Sequence, residues 1–259
     1  MGEKRTRCWN TAFIILFLAA IFLFSFNPFK ESDSFYHIKT GQVIWETHSI
    51  PHADIFSYTA PGAPWIVHEW LAEIIFYLIF HFTGFWGVMA FVALLSVATY
   101  FFMYQTALLW GSDKYLALFL FVLVGLLTFE LWIARPQVFS FLLLSTLVYL
   151  LEKYRRTGNK YLLASCLLLL AVWANMHASV ILGLAVVFLY AGIEICKVLT
   201  SPYRGEGRRG VFSKLPFQLP LGEGESSKGV LFLLATAIAA FFACHEIALL
   251  VLFICFSTR

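Results

Sequence analysis

WGVMAFVALLSVATYFFMYQTALLW, residues 86–110, contains no charged residue and is longer than the core helix of a soluble protein usually is. A helix of this length spans about 37 Å, more than the roughly 30 Å of hydrocarbon in a bilayer. The stretch therefore predicts a transmembrane helix. Further apolar runs lie on both sides of it, at 8–26, 71–83, 115–133, 136–151, 161–174, 177–197 and 230–254.

The composition of the chain agrees with a membrane environment. Of its 259 residues, 61% are hydrophobic and 13% are charged, whereas a soluble domain is about half apolar and a quarter charged. The 28 Phe residues suit lipid-facing helices and the membrane interface. The net charge of +3 gives no reason to expect a nucleic-acid partner. The sequence therefore predicts an all-α, polytopic transmembrane bundle with at least six spans in the lipid bilayer.

The membrane topology of the chain depends on whether the run at 71–83 crosses the bilayer. A helix of that length covers only about 20 Å, too little to cross. If it does not cross and the N-terminus is cytoplasmic, the basic cluster at 153–160 faces the cytoplasm, as the positive-inside rule requires. We therefore expect 71–83 to be a juxtamembrane or re-entrant helix on the outer side of the inner cell membrane. The runs at 136–151 and 161–174 are also short, so we expect their helices to extend into flanking residues.

Three regions follow from this topology. Residues 1–200 form the predicted transmembrane domain, with a large outer loop at 28–84 that contains juxtamembrane helices. Residues 201–228 are rich in Gly and Arg, which predicts a flexible cytoplasmic loop. Residues 229–259 are the predicted terminal transmembrane segment. Cys244-His245-Glu246 near its middle leaves open whether it is one span or a hairpin.

The outer loop holds the densest collection of ionisable side chains. Between residues 31 and 73 lie six of the 15 acidic residues and four of the 7 His. Charged groups at a membrane are costly, so their clustering indicates function. A helix is predicted from Asp33 or Ser34 to about Glu46, with Asp33 and His37 on one face and an apolar side that could lie on the bilayer. The aromatic and Pro residues from Pro51 to Trp65 predict an ordered, turn-rich loop.

Several roles remain open for these residues. Glu31 and Asp33 could hold a divalent cation, share a proton, or only cap a helix in a solvated loop. His68 and Glu69 form no strong zinc pattern, and we assign no residue as a metal ligand. Arg135 could pair with Glu130 or bind a phosphate group, and Asn175 and His177 lie in the next predicted outer turn.

A set of short motifs in this order resembles the GT-C class of membrane glycosyltransferases, which includes oligosaccharyltransferase catalytic subunits and protein O-mannosyltransferases. The resemblance covers roughly residues 9–198 and points to a bacterial branch of the class. The motifs are Glu31-Ser32-Asp33-Ser34-Phe35-Tyr36-His37, Gly41, Ile50-Pro51-x-x-Asp54-x-x-Ser57-Tyr58, Pro64-Trp65, His68-Glu69-Trp70-Leu71 and Ala134-Arg135-Pro136-Gln137.

The resemblance implies transfer of a sugar from a polyprenyl-phosphate donor to an acceptor on the outer face of the membrane. Asp33 would be the general base that accepts the proton of the acceptor hydroxyl group. Glu31, which replaces a more usual Asp, is the second implied catalytic residue. Arg135 would stabilise the departing phosphate, and the remaining implied substrate-binding residues are His37, His68 and Glu69. Because the class generally has longer chains, the resemblance also implies a truncated copy, which could be inactive. The alternative is a transporter or another non-enzymatic multi-pass membrane protein.

Overall fold

A computed structural model of the chain describes residues 2–26 and 32–200, and the side chains of 12–26 and 32–193. The predicted loop 201–228, the predicted segment 229–259 and Glu31 lie outside the described residues. The described part is helical and contains no β-strand. Its helices are α1 (Gly2–Ser25), α2 (Ser32–Thr47), α3 (Trp70–Leu109), α4 (Lys114–Thr128), α5 (Gln137–Thr157), α6 (Tyr161–Trp173) and α7 (Val180–Thr200), with a 3₁₀ turn at Phe129–Leu131.

Helix α3 is broken at Gly84, whose φ of 66° and ψ of −164° are not helical. Along a straight helix Phe76 and Phe91 would lie about 22 Å apart. Their ring centroids are 6.4 Å apart, so the chain folds back on itself at Gly84. This break separates the predicted short helix 71–83 from the predicted long helix 86–110, as the sequence indicated.

Helix α2 lies against the first half of α3. Gly41 faces the backbone of Glu73, and a Cβ atom at this position would overlap the Glu73 carbonyl group. Ile38 and Ile44 are 6% and 5% exposed, because they point into the protein. The prediction that the apolar side of α2 lies on the bilayer is therefore wrong for these two residues, since α3 covers them.

The second half of α3 is the centre of the bundle and packs against α1, α4 and α5. Helix α1 runs antiparallel to it, because Phe26 stacks on Trp86 at 6.0 Å and Phe17 contacts Tyr100 at 6.4 Å. The two helices also share a buried hydrogen bond between the hydroxyl groups of Ser25 and Ser96, 2.6 Å apart. A second apolar cluster joins α5, α6 and α7 around Leu147, Leu151, Cys166 and Trp173.

The two short predicted spans behave differently. Helix α5 runs to Thr157, beyond the predicted boundary at 151, which confirms its extension. Helix α6 does not extend and covers only about 20 Å, so that prediction is wrong. The Asn159 side chain accepts a hydrogen bond from the Tyr161 N–H at one end, and the Asn175 side chain donates to the Ala171 carbonyl at the other. These capping contacts hold α6 at its observed length.

Two helices in the described part are long and apolar enough to cross a bilayer, Trp70–Leu109 and Lys114–Leu131. In the first of these, the part after Gly84 alone spans about 37 Å. Many large apolar side chains on the helices point away from the protein, which suits a lipid environment better than water. Examples that are at least 69% exposed are Phe82, Trp86, Leu127, Leu167, Leu168 and Phe188.

The contact at Gly41 generates a stability prediction. Gly41→Ala is expected to destabilise the protein by about 1–3 kcal/mol or more, since the added methyl group meets backbone atoms that cannot rotate away. Thermal unfolding in detergent measures the loss. Gly192→Ala is the matched control, because a Cβ there meets nothing within 4 Å and Ala favours helix more than Gly does. Equal melting temperatures for the two variants would contradict the close approach of α2 and α3.

Candidate functional site

The loop between α2 and α3 is ordered, as the sequence predicts. The Asp54 N–H donates to the Ala63 carbonyl at 2.8 Å, and the Trp65 N–H donates to the His52 carbonyl at 3.0 Å. The Asp54 carboxylate accepts hydrogen bonds from Ser57, chiefly its side chain, and from the Phe56 N–H, which together lower the pKa of Asp54. This loop places Glu69 next to α2.

Three ionisable side chains meet where α2 and α3 touch. His37 Nδ1 lies 3.0 Å from Glu73 Oε1 and 3.9 Å from Glu69 Oε2. The two carboxylates share one face because they are four residues apart at the start of α3. One ligand atom from each residue can be chosen so that all three lie within 4.8 Å of one another, an arrangement able to hold a metal ion. We call His37, Glu69 and Glu73 the acid–histidine cluster.

The carboxylates of this cluster are shielded from solvent. The Glu73 side chain is only 2% exposed, and no described residue forms a hydrogen bond with its Oε2 atom. Glu69 is 17% exposed. Burial raises the pKa of Glu69, while the nearby His37 and His68 oppose that rise. Such buried carboxylates are costly unless a positive charge or hydrogen-bond donors accompany them.

The turn between α6 and α7 adds His177 to the site. Its Nε2 atom lies 3.4 Å from Glu69 Oε1. The Ser179 N–H donates to His177 Nδ1 at 3.1 Å, so the proton of the neutral ring is on Nε2 and faces Glu69. Burial lowers the pKa of His177 to about 4, which keeps the ring neutral near pH 7. Ser179 is itself fixed by its hydroxyl hydrogen bond to Ser140 at 2.7 Å.

Asn175 ties the same turn to the start of α3. Its carbonyl accepts from the Leu71 N–H at 3.2 Å, and its side-chain oxygen accepts from Trp70 Nε1, also at 3.2 Å. The donors of these two bonds, Trp70 and Leu71, directly follow Glu69 in the sequence. The turn therefore fixes both His177 and the carboxylate that His177 faces.

An ion pair lies beside the acid–histidine cluster. Arg135, in the turn before α5, places Nη2 2.7 Å from Asp33 Oδ2. Asp33 is in the first turn of α2, four residues before His37, so both side chains project from one face of that helix. The two members of the pair are 33% and 54% exposed, so solvent reaches the pair. The Asp33 carboxylate is thus engaged by a guanidinium group.

The structure brings most of the predicted site residues together. Asp33 contacts Arg135, and His37 contacts Glu69. His68 is 58% exposed and touches only the edge of the cluster, with Nε2 3.6 Å from Glu69 Oε1. The predicted site residue Glu31 lies outside the described residues.

Two residues that the structure adds to the site are absent from the predicted site residues, Glu73 of the acid–histidine cluster and His177. The signal for Glu73 is its spacing of four residues from Glu69, which places both on one helix face. The signal for His177 is its position in the next predicted outer turn. Neither signal shows that Glu73 contacts His37 or that His177 contacts Glu69.

Comparison of the chain with models of protein families, with curated proteins and with solved structures finds no match. The GT-C resemblance therefore stays a hypothesis that rests on the motifs, and the site is interpreted from its own geometry.

A double-mutant cycle tests the ion pair. Asp33→Asn, Arg135→Gln and the double variant are expected to give a coupling energy of about 0.2–1 kcal/mol, the range of solvent-accessible pairs. Chemical denaturation in detergent at low and high salt measures this value, which should fall as salt screens the charges. A coupling energy of zero at low salt would contradict the prediction that this pair stabilises the fold.

Proposed function

We propose that this chain is a multi-pass membrane glycosyltransferase that moves a sugar from a polyprenyl-phosphate donor to an acceptor at the outer face of the inner membrane. The observation that carries this proposal is the ion pair of Asp33 and Arg135 beside the acid–histidine cluster. A carboxylate able to accept a proton and a guanidinium able to bind phosphate then lie at one place. Transfer of a phosphate-linked sugar can use both groups, one at the acceptor hydroxyl and one at the departing phosphate.

The ion pair suggests how such a reaction would proceed. A donor phosphate would bind Arg135 and replace Asp33 as its partner, which frees the carboxylate. Asp33 would then take the proton of the acceptor hydroxyl group as the acceptor oxygen bonds to the anomeric carbon. The bond from that carbon to the phosphate oxygen breaks, and the electron pair stays on the phosphate, where Arg135 stabilises the charge.

Apolar side chains beside the site suit the lipid part of such a donor. Phe35, two residues after Asp33, has its ring centroid 5.4 Å from that of Phe85. Phe82 and Trp86 flank the Gly84 break and are 78% and 72% exposed. A polyprenyl chain could lie against these rings while its phosphate reaches Arg135.

The proposed topology follows from the helix order. Helix α1 is antiparallel to the second half of α3, and short turns join α4 to α5 and α6 to α7 at the end of the bundle where the site residues meet. With a cytoplasmic N-terminus, that end faces outward and the basic residues at 153–160 face inward. A transporter is less favoured, because its binding site would lie near the bilayer midplane rather than at helix ends.

An activity assay tests the proposed chemistry. Asp33→Asn is expected to slow sugar transfer by about 10²–10⁴-fold, because the amide cannot accept the proton. Arg135→Lys is expected to slow it by about 10²-fold, because an ammonium group cannot bind phosphate through two parallel hydrogen bonds. The rates are measured in membranes with a panel of polyprenyl-phosphate hexoses and pentoses.

The matched control for Asp33→Asn is Glu46→Gln, an exposed carboxylate at the other end of α2 that accepts a hydrogen bond from Gln42. This variant should keep the full rate. Full activity of Asp33→Asn would remove Asp33 from the chemistry, and no transfer by the unaltered chain across the panel would reject the proposed function.

Cysteine labelling tests the sidedness on which this function depends. Tyr58 and Tyr161 are 97% and 84% exposed, in the loop before α3 and at the start of α6. In a chain whose five native cysteines are replaced by Ala, Tyr58→Cys should react with an impermeant maleimide added to intact spheroplasts. Tyr161→Cys should react only after the membrane is opened. The reverse pattern would place the site in the cytoplasm and reject the proposed sidedness.

A further inference from the structure

The acid–histidine cluster carries more negative charge than its described partners balance. If Glu69 and Glu73 are both ionised, they bring two negative charges to His37, while His68 and His177 approach only Glu69. Glu73 is 2% exposed, and no described residue forms a hydrogen bond with its Oε2 atom. A buried carboxylate oxygen without a partner is costly, so this atom indicates a ligand.

The spacing of the ligand atoms fits one divalent ion. Two atoms bound to the same tetrahedral Zn²⁺ at about 2.0–2.1 Å lie about 3.4 Å apart. His37 Nδ1 is 3.0 Å from Glu73 Oε1 and 3.9 Å from Glu69 Oε2, on either side of that value. One ligand atom from each of the three residues lies within 4.8 Å of the other two, so small side-chain rotations would bring them into one coordination sphere.

The kind of ligand narrows the choice of metal. Mg²⁺ and Ca²⁺ prefer oxygen atoms throughout, whereas an imidazole nitrogen with carboxylate oxygens suits Zn²⁺. The surroundings add a polar contact to one of the three ligands. His177 turns its Nε2 proton toward Glu69 Oε1 at 3.4 Å, and the Ser179 N–H fixes the ring in that orientation.

We infer that His37, Glu69 and Glu73 form a Zn²⁺ site in which His37 binds through Nδ1 and each glutamate through one carboxylate oxygen. Three protein ligands leave one tetrahedral position for water or for an oxygen of a bound molecule, as in catalytic rather than structural zinc sites. The site does not include Asp33 or Arg135. It does not rest on the proposed sugar transfer, since this chain's side chains and the ion alone define it.

Metal binding without any sugar donor tests this inference. The full chain, purified in detergent and stripped with a chelator, is dialysed against Zn²⁺ and its metal content is measured. The expected result is one Zn²⁺ per chain that depends on the cluster. Glu69→Gln and Glu73→Gln should each weaken Zn²⁺ binding by more than about 10-fold. Bound Co²⁺ should give visible absorption bands of a tetrahedral nitrogen and oxygen site, and both variants should lose them.

His52→Ala and Glu46→Gln are the controls, because both side chains are exposed and lie outside the cluster. They should bind Zn²⁺ as the unaltered chain does. Circular dichroism and gel filtration establish that each variant folds. If Glu73→Gln does not fold, Glu69→Gln, at a 17% exposed position, still decides the matter. Absence of bound Zn²⁺, or equal binding by the glutamate variants and the controls, would overturn the inference. Zinc binding without sugar transfer would reject only the proposed function.

Discussion

The close approach of α2 to α3 at Gly41 is the constraint on which the site depends. Any side chain at position 41 would overlap the carbonyl group of Glu73, so only glycine lets the two helices touch there. His37 lies one helical turn before Gly41, and Glu69 lies one turn before Glu73. The same contact that brings the backbones together therefore brings the imidazole to the two carboxylates. At this position the packing of α2 on α3 and the geometry of the acid–histidine cluster depend on the same contact.

A second constraint is the break at Gly84, because it divides one apolar stretch into two helices that pack in different places. The part before the break is too short to cross a bilayer and instead lies along α2, where it presents Glu69 and Glu73. The part after the break is long enough to cross and forms the centre of the bundle. A straight helix through residues 70–109 would carry the two glutamates far from the α4–α5 turn that holds Arg135.

The sequence predicts the local features of this molecule better than its long-range contacts. Apolar runs give the helix ends to within about six residues, and the gap between 71–83 and 86–110 marks the break at Gly84. The i to i+4 rule places Asp33 with His37 on one face. Helical spacing does not show which face of α2 is covered, so it does not predict that Ile38 and Ile44 are buried. Helical spacing also does not show that Asp33 contacts Arg135, because this contact depends on how α2, α3 and α5 pack together.

Helix α2 links the two chemical parts of the site. Asp33 and His37 leave the same face one turn apart, so a shift of α2 relative to α3 moves the ion pair and the acid–histidine cluster together. The two parts differ in solvent access, since Asp33 is 54% exposed and Glu73 is 2% exposed. An anion arriving from solvent or from the membrane surface would therefore meet the exposed pair before the buried cluster. Its exchange with Asp33 would alter the charge one helical turn from His37.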